Sequence, residues 1–182
     1  MQKVPTDNQL VIQAKKGHTE AFSTLVDRYR QKVFQSAMGF LHNPDDAEDL
    51  TQEIFVKAWN ALDGFDQRSA FSTWLYRIAV NKAINVIRKN KIRSFIGLNE
   101  AGNEPFSTES NAEEAITVKE QKEEIKKAVD QLNNKQKKAF VLFYYQDLNM
   151  KEVAEVLGIS QKAVESLVFR ARKKLQSIVD RK

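Results

Sequence analysis

The 182-residue sequence predicts an all-α protein, two helical domains joined by a flexible linker, with a helix-turn-helix in the second. Three observations predict it. Apolar residues recur at three- and four-residue spacing, and strand-like alternation is almost absent. Six glycines and three prolines are too few for the turns of an all-β chain. Between two such periodic regions, residues 91–111 lose the period altogether. The expected boundaries are a first domain at 1–90, a linker at 91–111 and a second domain at 112–182.

A first short helix is expected from Asp7 to Lys16, stopping at Gly17. The second, about Thr19 to Leu41, aligns Phe22, Leu25, Val26, Tyr29, Val33, Ala37, Met38 and Leu41 on one stripe. Asn43-Pro44-Asp45-Asp46 is a helix start. Asn43 serves as N-cap, Pro44 takes the first position where no N–H is needed, and the acids face the positive end of the dipole. This third helix runs to about Ala61 and is broken at Gly64. The segment GFDQRSA is a loop, and a fourth helix follows from about Phe71 to Lys89. Residues 91–111 hold two glycines, a proline and small polar residues, the composition of a linker. Helices then resume at about Ala112 to Gln131 and at Asn133 to Tyr145, the latter with Gln136 closing a capping box.

Met150 to Lys174, MKEVAEVLGISQKAVESLVFRARKK, is two helices around a tight turn. Asn149 and Glu152 stand at capping-box spacing, and Val153, Ala154 and Leu157 make one apolar face. Gly158 supplies the positive φ of the turn. Ser160 caps a second helix whose Ala163, Val164, Leu167 and Val168 face inward. A small residue at Ala154, a glycine at Gly158 and a β-branched residue at Val164 have the spacing of a helix-turn-helix. Gln161, Lys162, Glu165, Ser166, Phe169, Arg170, Arg172 and Lys173 are left for solvent or a DNA major groove. An ordinary helical hairpin would share the apolar pattern, so charge becomes the discriminator. Residues 1–90 hold 12 basic and 10 acidic side chains, residues 91–118 hold 2 and 5, and residues 119–182 hold 15 and 9. The basic excess sits with the helix-turn-helix, where phosphate contact requires it.

Other chemistries find little support. The chain has no cysteine, which excludes disulfides and thiolate zinc sites. Its two histidines, His18 and His42, are not at ligand spacing, and no nucleophile stands beside a base, so neither metal, cofactor nor catalysis is expected. The opening residues lack the apolar run of a signal peptide, and no segment is long enough to span a bilayer, so a cytoplasmic protein is expected.

Two helix faces carry more information. On the third helix, Ala47, Leu50, Ile54, Ala58 and Leu62 share the core side. The opposite side collects Asp45, Asp49, Gln52, Glu53, Val56 and Asn60, an acidic surface around an apolar residue that suits a basic partner helix. Ordinary solvation produces acidic faces too. On the fourth helix, Leu75, Ile78, Ala79, Ala83, Val86 and Ile87 form the buried stripe. The other side aligns Trp74, Arg77, Asn81, Asn85 and Arg88. An indole to stack on a base, amides to read edges and guanidiniums for phosphate suit melted DNA. Phe65, Arg68, Ser69 and Phe71 in the adjoining loop extend this to a pocket for an extruded base. The competing reading packs Trp74 against a neighbouring helix and leaves the arginines solvated.

The block Asp45 to Asp66, followed by FSTWLYRIAVN from Phe71, resembles the first domain of bacterial alternative sigma factors of the extracytoplasmic-function type. The helix-turn-helix with its FRAR ending is similar to that group's second domain, so the resemblance covers nearly the whole chain outside the linker. It implies that Asp49, Gln52 and Glu53 grip the clamp coiled coil of core RNA polymerase, within the face that includes Asp45 and Val56. It implies that the loop Phe65–Phe71 with Trp74, Arg77 and Asn81 melts and reads the minus-ten element. Ser166, Phe169 and Arg170 would bind the minus-thirty-five element as duplex. No catalytic activity is implied. An anti-sigma factor, commonly membrane-anchored in this group, is implied as a further partner. One departure stands out: Glu165 and Leu167 replace residues that are often basic in the group. Glu165 cannot hold phosphate but can accept from cytosine N4, so a different base preference is expected, with Arg170, Arg172, Lys173 and Lys174 holding the backbone.

Two rivals fit parts of the chain. A conventional helix-turn-helix regulator would bind duplex DNA as a dimer, and leaves Trp74 and the acidic face unexplained. A DNA-processing enzyme would need a nucleophile or metal ligands in the first domain, and none is legible.

Overall fold

A computed structural model of the chain describes residues 4–95 and 126–179. The expected linker and the helix expected from Ala112 lie largely outside them. Every regular element among the described residues is helical: α1 (Asp7–Lys15), α2 (Thr19–Leu41), α3 (Pro44–Ala61), a 3-10 turn (Leu62–Gly64) and α4 (Phe71–Phe95). Helical residues 126–130 then lead into α5 (Asn134–Tyr144), α6 (Met150–Leu157) and α7 (Gln161–Val179).

Local chemistry sets the ends of these helices. Thr6 and Gln9 form a capping box at α1, and Asn43 Oδ1 accepts from the Asp46 N–H at the head of α3. The boxes expected at Asn133 with Gln136 and at Asn149 with Glu152 are both closed in both directions. Gly158 ends α6 at φ 65°, the left-handed turn expected of it. One boundary needs correction. α4 continues through Phe95, past the expected end at Lys89, because no breaker precedes Gly97. The helix therefore runs into the stretch assigned to the linker.

In the first body α1 lies on α2, and α2, α3 and α4 pack on one another. All five residues expected on the core side of α3, Ala47, Leu50, Ile54, Ala58 and Leu62, are buried. On α2, Phe22, Leu25, Val33 and Ala37 are buried, while Val26, Tyr29, Met38 and Leu41 are half-buried against the same core. In the second body α7 packs on both α5 and α6. Lys137, only 2 % exposed, pairs with Asp130 at 2.6 Å and ties helical residues 126–130 to α5.

The two bodies also touch each other, α5 against α2 and α6 against α4. The contact covers Gly39, which lies outside the expected stripe. Ser36, Gly39 and Phe40 on α2, and Tyr76 and Val80 on α4, are buried as well. Glycine inside a helix costs about 1 kcal/mol relative to alanine. At Gly39 a Cβ would stand 2.9 Å from the Tyr145 ring and 3.1 Å from Val141 Cγ1, so the approach of α5 demands the bare backbone.

Burial gives the fold an alkaline limit. It pushes the Tyr76 phenol up to about 12, with the Glu152 carboxylate adding to the effect. Burial also raises Tyr145 and Tyr29, the latter further held neutral by its hydrogen bond to Asp7. Unfolded tyrosine ionises near pH ~10. The stability these phenols support is full below that value and is lost as pH rises through the folded ones. Helicity followed by circular dichroism is expected to hold to about pH 10 and to collapse over the next two units. Tyr76→Phe should move that collapse upward; an unmoved midpoint would remove Tyr76 from the cause.

Candidate polymerase and nucleic-acid interfaces

Because α3 turns its apolar stripe to the core, its opposite face is open. Asp45, Asp49, Gln52, Glu53 and Asn60 are exposed, and Val56 is 61 % exposed at their centre. Glu53 Oε2 accepts from Lys82 Nζ of α4 at 2.6 Å, a solvent-facing pair that a stronger cationic partner can displace at small cost. Trp59, three residues beyond Val56, is 39 % exposed with its ring 4.9 Å from Phe22. It extends the apolar centre by one helix step. The sequence reading passed over it, although its spacing from Val56 was the available signal.

The loop before α4 rests on a stack of rings. Phe65 lies 4.9 Å from Trp74 and 6.0 Å from Phe71, and Phe71 lies 5.7 Å from Trp74 and 5.6 Å from Tyr29. Phe65 and Phe71 are 2 % and 1 % exposed. This corrects the expectation that both offer faces to an extruded base: they are the floor under the loop. Trp74, half-buried, packs on that floor by one face. What the loop presents is polar. Arg68 is exposed and paired with Asp66 at 2.9 Å, Ser69 is half-buried beside it, and Gln67 takes a left-handed φ of 59°. Lys15 of α1 holds the loop's base, its Nζ donating to the carbonyls of Asp63 (3.0 Å) and Phe65 (2.6 Å). No sequence signal marked Lys15, since its partners are main-chain oxygens far along the chain.

Further along α4, Arg77, Asn81 and Arg88 share the polar side as expected. Arg88 donates to Asn85 Oδ1 at 3.2 Å and stays exposed. Arg77 and Asn81, both exposed, also reach the second body. Arg77 donates to the carbonyls of Glu155 (2.8 Å) and Val156 (3.1 Å) at the C-terminal end of α6. A cation there meets the negative end of the helix dipole. Asn81 Oδ1 accepts from Lys138 Nζ of α5 at 2.7 Å, and burial lowers the Lys138 pKa.

The helix-turn-helix has the expected inside and outside. Val153, Ala154, Val164 and Val168 are buried, and Leu157, Ala163 and Leu167 are half-buried. Val156 is buried too, and its main-chain carbonyl accepts from Arg77 of the first domain. Gln161, Lys162, Glu165, Arg170, Arg172 and Lys173 are exposed around Phe169, itself 67 % exposed. Two of these are held in place. Gln161 donates to Glu165 Oε1 at 3.1 Å, and Arg170 donates to the Ser166 carbonyl and, at 2.6 Å, to its hydroxyl. Such a rigid polar face on one helix suits a major groove.

Among the described residues no group of three or more His, Asp or Glu side chains is placed to hold a metal. No described helix is long and apolar enough to cross a membrane.

Comparisons with known proteins agree with this geometry. The family model for sigma-70 region 2 matches residues 25–92, spanning α2 to α4, and that for sigma-70 region 4 matches residues 122–175. The chain is 35% identical to the ECF RNA polymerase sigma factor SigW of Bacillus subtilis, covering 90% of this chain and 91% of that one. It is 34% identical to the ECF RNA polymerase sigma-E factor of Escherichia coli K12, covering 96% and 94%. Among solved structures, CnrH in complex with the cytosolic domain of CnrY superposes with a TM-score of 0.72 at 30% identity, covering 96% of this chain and 97% of CnrH. With both regions matched in order on domains that expose an acidic helix and a basic recognition helix, the chain belongs to the extracytoplasmic-function sigma factors, promoter-specificity subunits of RNA polymerase.

Proposed function

We propose a division of labour among the three faces. The α3 face, Asp45, Asp49, Gln52, Glu53 and Val56, docks on the clamp coiled coil of the large polymerase subunit. Arg68 and Ser69, with the exposed edge of Trp74 and with Arg77, Asn81 and Arg88, take the melted minus-ten element above the floor of Phe65 and Phe71. Gln161, Lys162, Glu165, Ser166, Phe169, Arg170, Arg172 and Lys173 take the minus-thirty-five element as duplex. The observation that carries this reading is the acidic face around 61 %-exposed Val56, on the same small domain as the loop that presents Arg68. A regulator working alone on DNA has no use for an acidic surface there, whereas docking to a basic helix does.

Binding to core sets the two DNA-reading domains at the spacing of the two promoter elements, so that the second contact is made at high effective concentration. Capture of unpaired bases offsets the cost of unpairing. Chemistry belongs to the polymerase, and the chain contributes no catalytic group. It works where the polymerase works, in the cytoplasm. CnrH, bound by the cytosolic domain of CnrY, supports an anti-sigma protein as the third partner.

The test is run-off transcription by core polymerase on a pool of genomic fragments, with and without the protein. Discrete new transcripts are expected, and their starts map both promoter elements. Silence, with tight dimeric binding to duplex DNA, would instead establish a conventional regulator.

Lys15 provides a sharper check on the minus-ten assignment. Lys15→Met frees the carbonyls of Asp63 and Phe65 and should lower promoter opening about tenfold, equivalent to losing one charge-assisted hydrogen bond of roughly 1.5 kcal/mol. Core affinity should stay unchanged and Lys15→Arg should restore opening. Equal opening by Lys15→Met would detach this loop from DNA melting.

A further inference from the structure

We infer that α1 forms a wall of the minus-ten site, and that Asn8 on it is a specificity-determining residue for the extruded base. This rests on the minus-ten assignment above.

Beside the loop that precedes α4 lies an open polar recess of about 550 Å³. It is lined by Asn8 of α1, by Gln67, Arg68 and Ser69 of the loop, and by Thr73 and Arg77 of α4; of its lining residues only Glu155 comes from the second body. Sites for small ligands hold roughly 300–1,000 Å³, so one nucleobase has room here. The lining divides by chemistry. Two guanidiniums suit phosphate, whereas the neutral amides and hydroxyls suit the edge of a base. Thr73 is only 6 % exposed, and its hydroxyl has no hydrogen-bond partner among the described residues, which leaves it to whatever enters the recess.

Asn8 has the same freedom and a fixed place. It stands in the first turn of α1, but Thr6 and Gln9 do the capping there, so the helix does not need its carboxamide. That carboxamide is exposed and makes no hydrogen bond among the described residues. α1 itself is pinned at both ends. Asp7 accepts from Arg28 and Tyr29 of α2, and Arg28 also donates to the Pro5 carbonyl at 3.1 Å. At the other end Lys15 holds the carbonyls of the loop base. Asn8 and Lys15 are two turns apart on one side of the helix, about 10 Å along its axis. One residue therefore grips the foot of the loop while the other reaches the recess beside its tip. An amide on a helix held this way is ordered before any base arrives, which favours discrimination. A carboxamide sets a donor beside an acceptor and pairs with a base edge that does the same. Adenine offers that pattern on both its Watson–Crick and its major-groove edge, so adenine is the base expected to face Asn8.

The test uses holoenzyme assembled from core polymerase and the full chain. It is titrated with fluorescent non-template minus-ten strands of a promoter mapped by run-off, each position carrying each of the four bases in turn. The native chain is expected to prefer adenine at one position by about tenfold, the discrimination that one bidentate amide–base pair provides. Asn8→Ala should lose that preference and keep the ranking of bases at every other position. The variant leaves the Thr6–Gln9 box intact, and circular dichroism checks that helicity is kept. Arg68→Glu is the control for the assignment beneath the inference, and should weaken all strands alike. Equal weakening of all strands in Asn8→Ala would make Asn8 a structural residue and overturn the inference. An unchanged ranking in Asn8→Ala, with Arg68→Glu weakened, would remove Asn8 from the site, and a lost preference for another base would overturn the match to adenine. Unchanged binding in both variants would overturn the minus-ten assignment itself.

Discussion

Phe71→Ala is expected to cost the first domain about 3–5 kcal/mol, the usual loss for deleting a buried aromatic ring. Three features put it at the upper end. The side chain is 1 % exposed, it opens α4, and its ring touches those of Phe65, Trp74 and Tyr29. Three rings converging on one cannot collapse into the space without moving the loop. Since a domain of this size is stable by only ~5–15 kcal/mol in total, the variant should sit close to its unfolding midpoint. Urea denaturation followed by tryptophan fluorescence reads the change, because Trp74 is one of the rings that loses its neighbour. Phe71→Leu, which refills part of the volume, should recover about half of the loss. A loss under about 1 kcal/mol would mean that the loop stands without its floor. Promoter opening should fall in Phe71→Ala although Arg68 and Ser69 are untouched, because they are carried by the loop that Phe71 supports.

The same residue shows where sequence reading reaches its limit. A phenylalanine beside a polar loop can offer its ring to a base or bury it, and both uses have the same composition. Only the other rings converging on Phe71 decide, and Tyr29 comes from a different helix. Features whose cause lies within one turn were legible. The boxes at Asn133 and Asn149 join residues three apart, and Gly158 answers a local backbone need. The core side of α3 was legible because that helix buries one stripe. α2 and α4 also meet the second body, and Ser36, Gly39, Tyr76 and Val80, outside the expected stripes, are buried; at Gly39 the covering groups are Tyr145 and Val141. Lys15 was out of reach for the same reason in sharper form, its partners being carbonyls of the loop base. Most residues expected at the acidic and basic faces are exposed, since exposure follows from the period of each helix; Phe65 and Phe71 are buried, and Ser69, Trp74 and Ser166 are half-buried. That Arg77 and Asn81 are engaged by the other domain does not follow from any period.

Val164→Asp should separate the two domains by function. Val164 is fully buried in the first turns of α7, among the inward residues of the helix-turn-helix. A carboxylate there has no cation built to meet it, and burying it costs several kcal/mol, enough to unfold a small helical body. Binding to a minus-thirty-five duplex should fall by about a hundredfold or more, which corresponds to a loss of roughly 3 kcal/mol. Core polymerase binding through α3 should survive, since Ala47, Leu50, Ile54, Ala58 and Leu62 lie in the first body, although the buried cluster they belong to runs on to Val164 across the contact between the bodies. Binding of the minus-ten single strand, whose assigned residues lie on α4 and the loop before it, should be kept while the duplex is lost. Glu165→Ala, one residue away on the exposed side, should keep the fold and change only duplex binding. Circular dichroism, a core-binding assay and the two DNA titrations distinguish these cases. If Val164→Asp abolished core binding together with duplex binding, the two bodies would fold as one unit, and the independence of their surfaces would have to be given up.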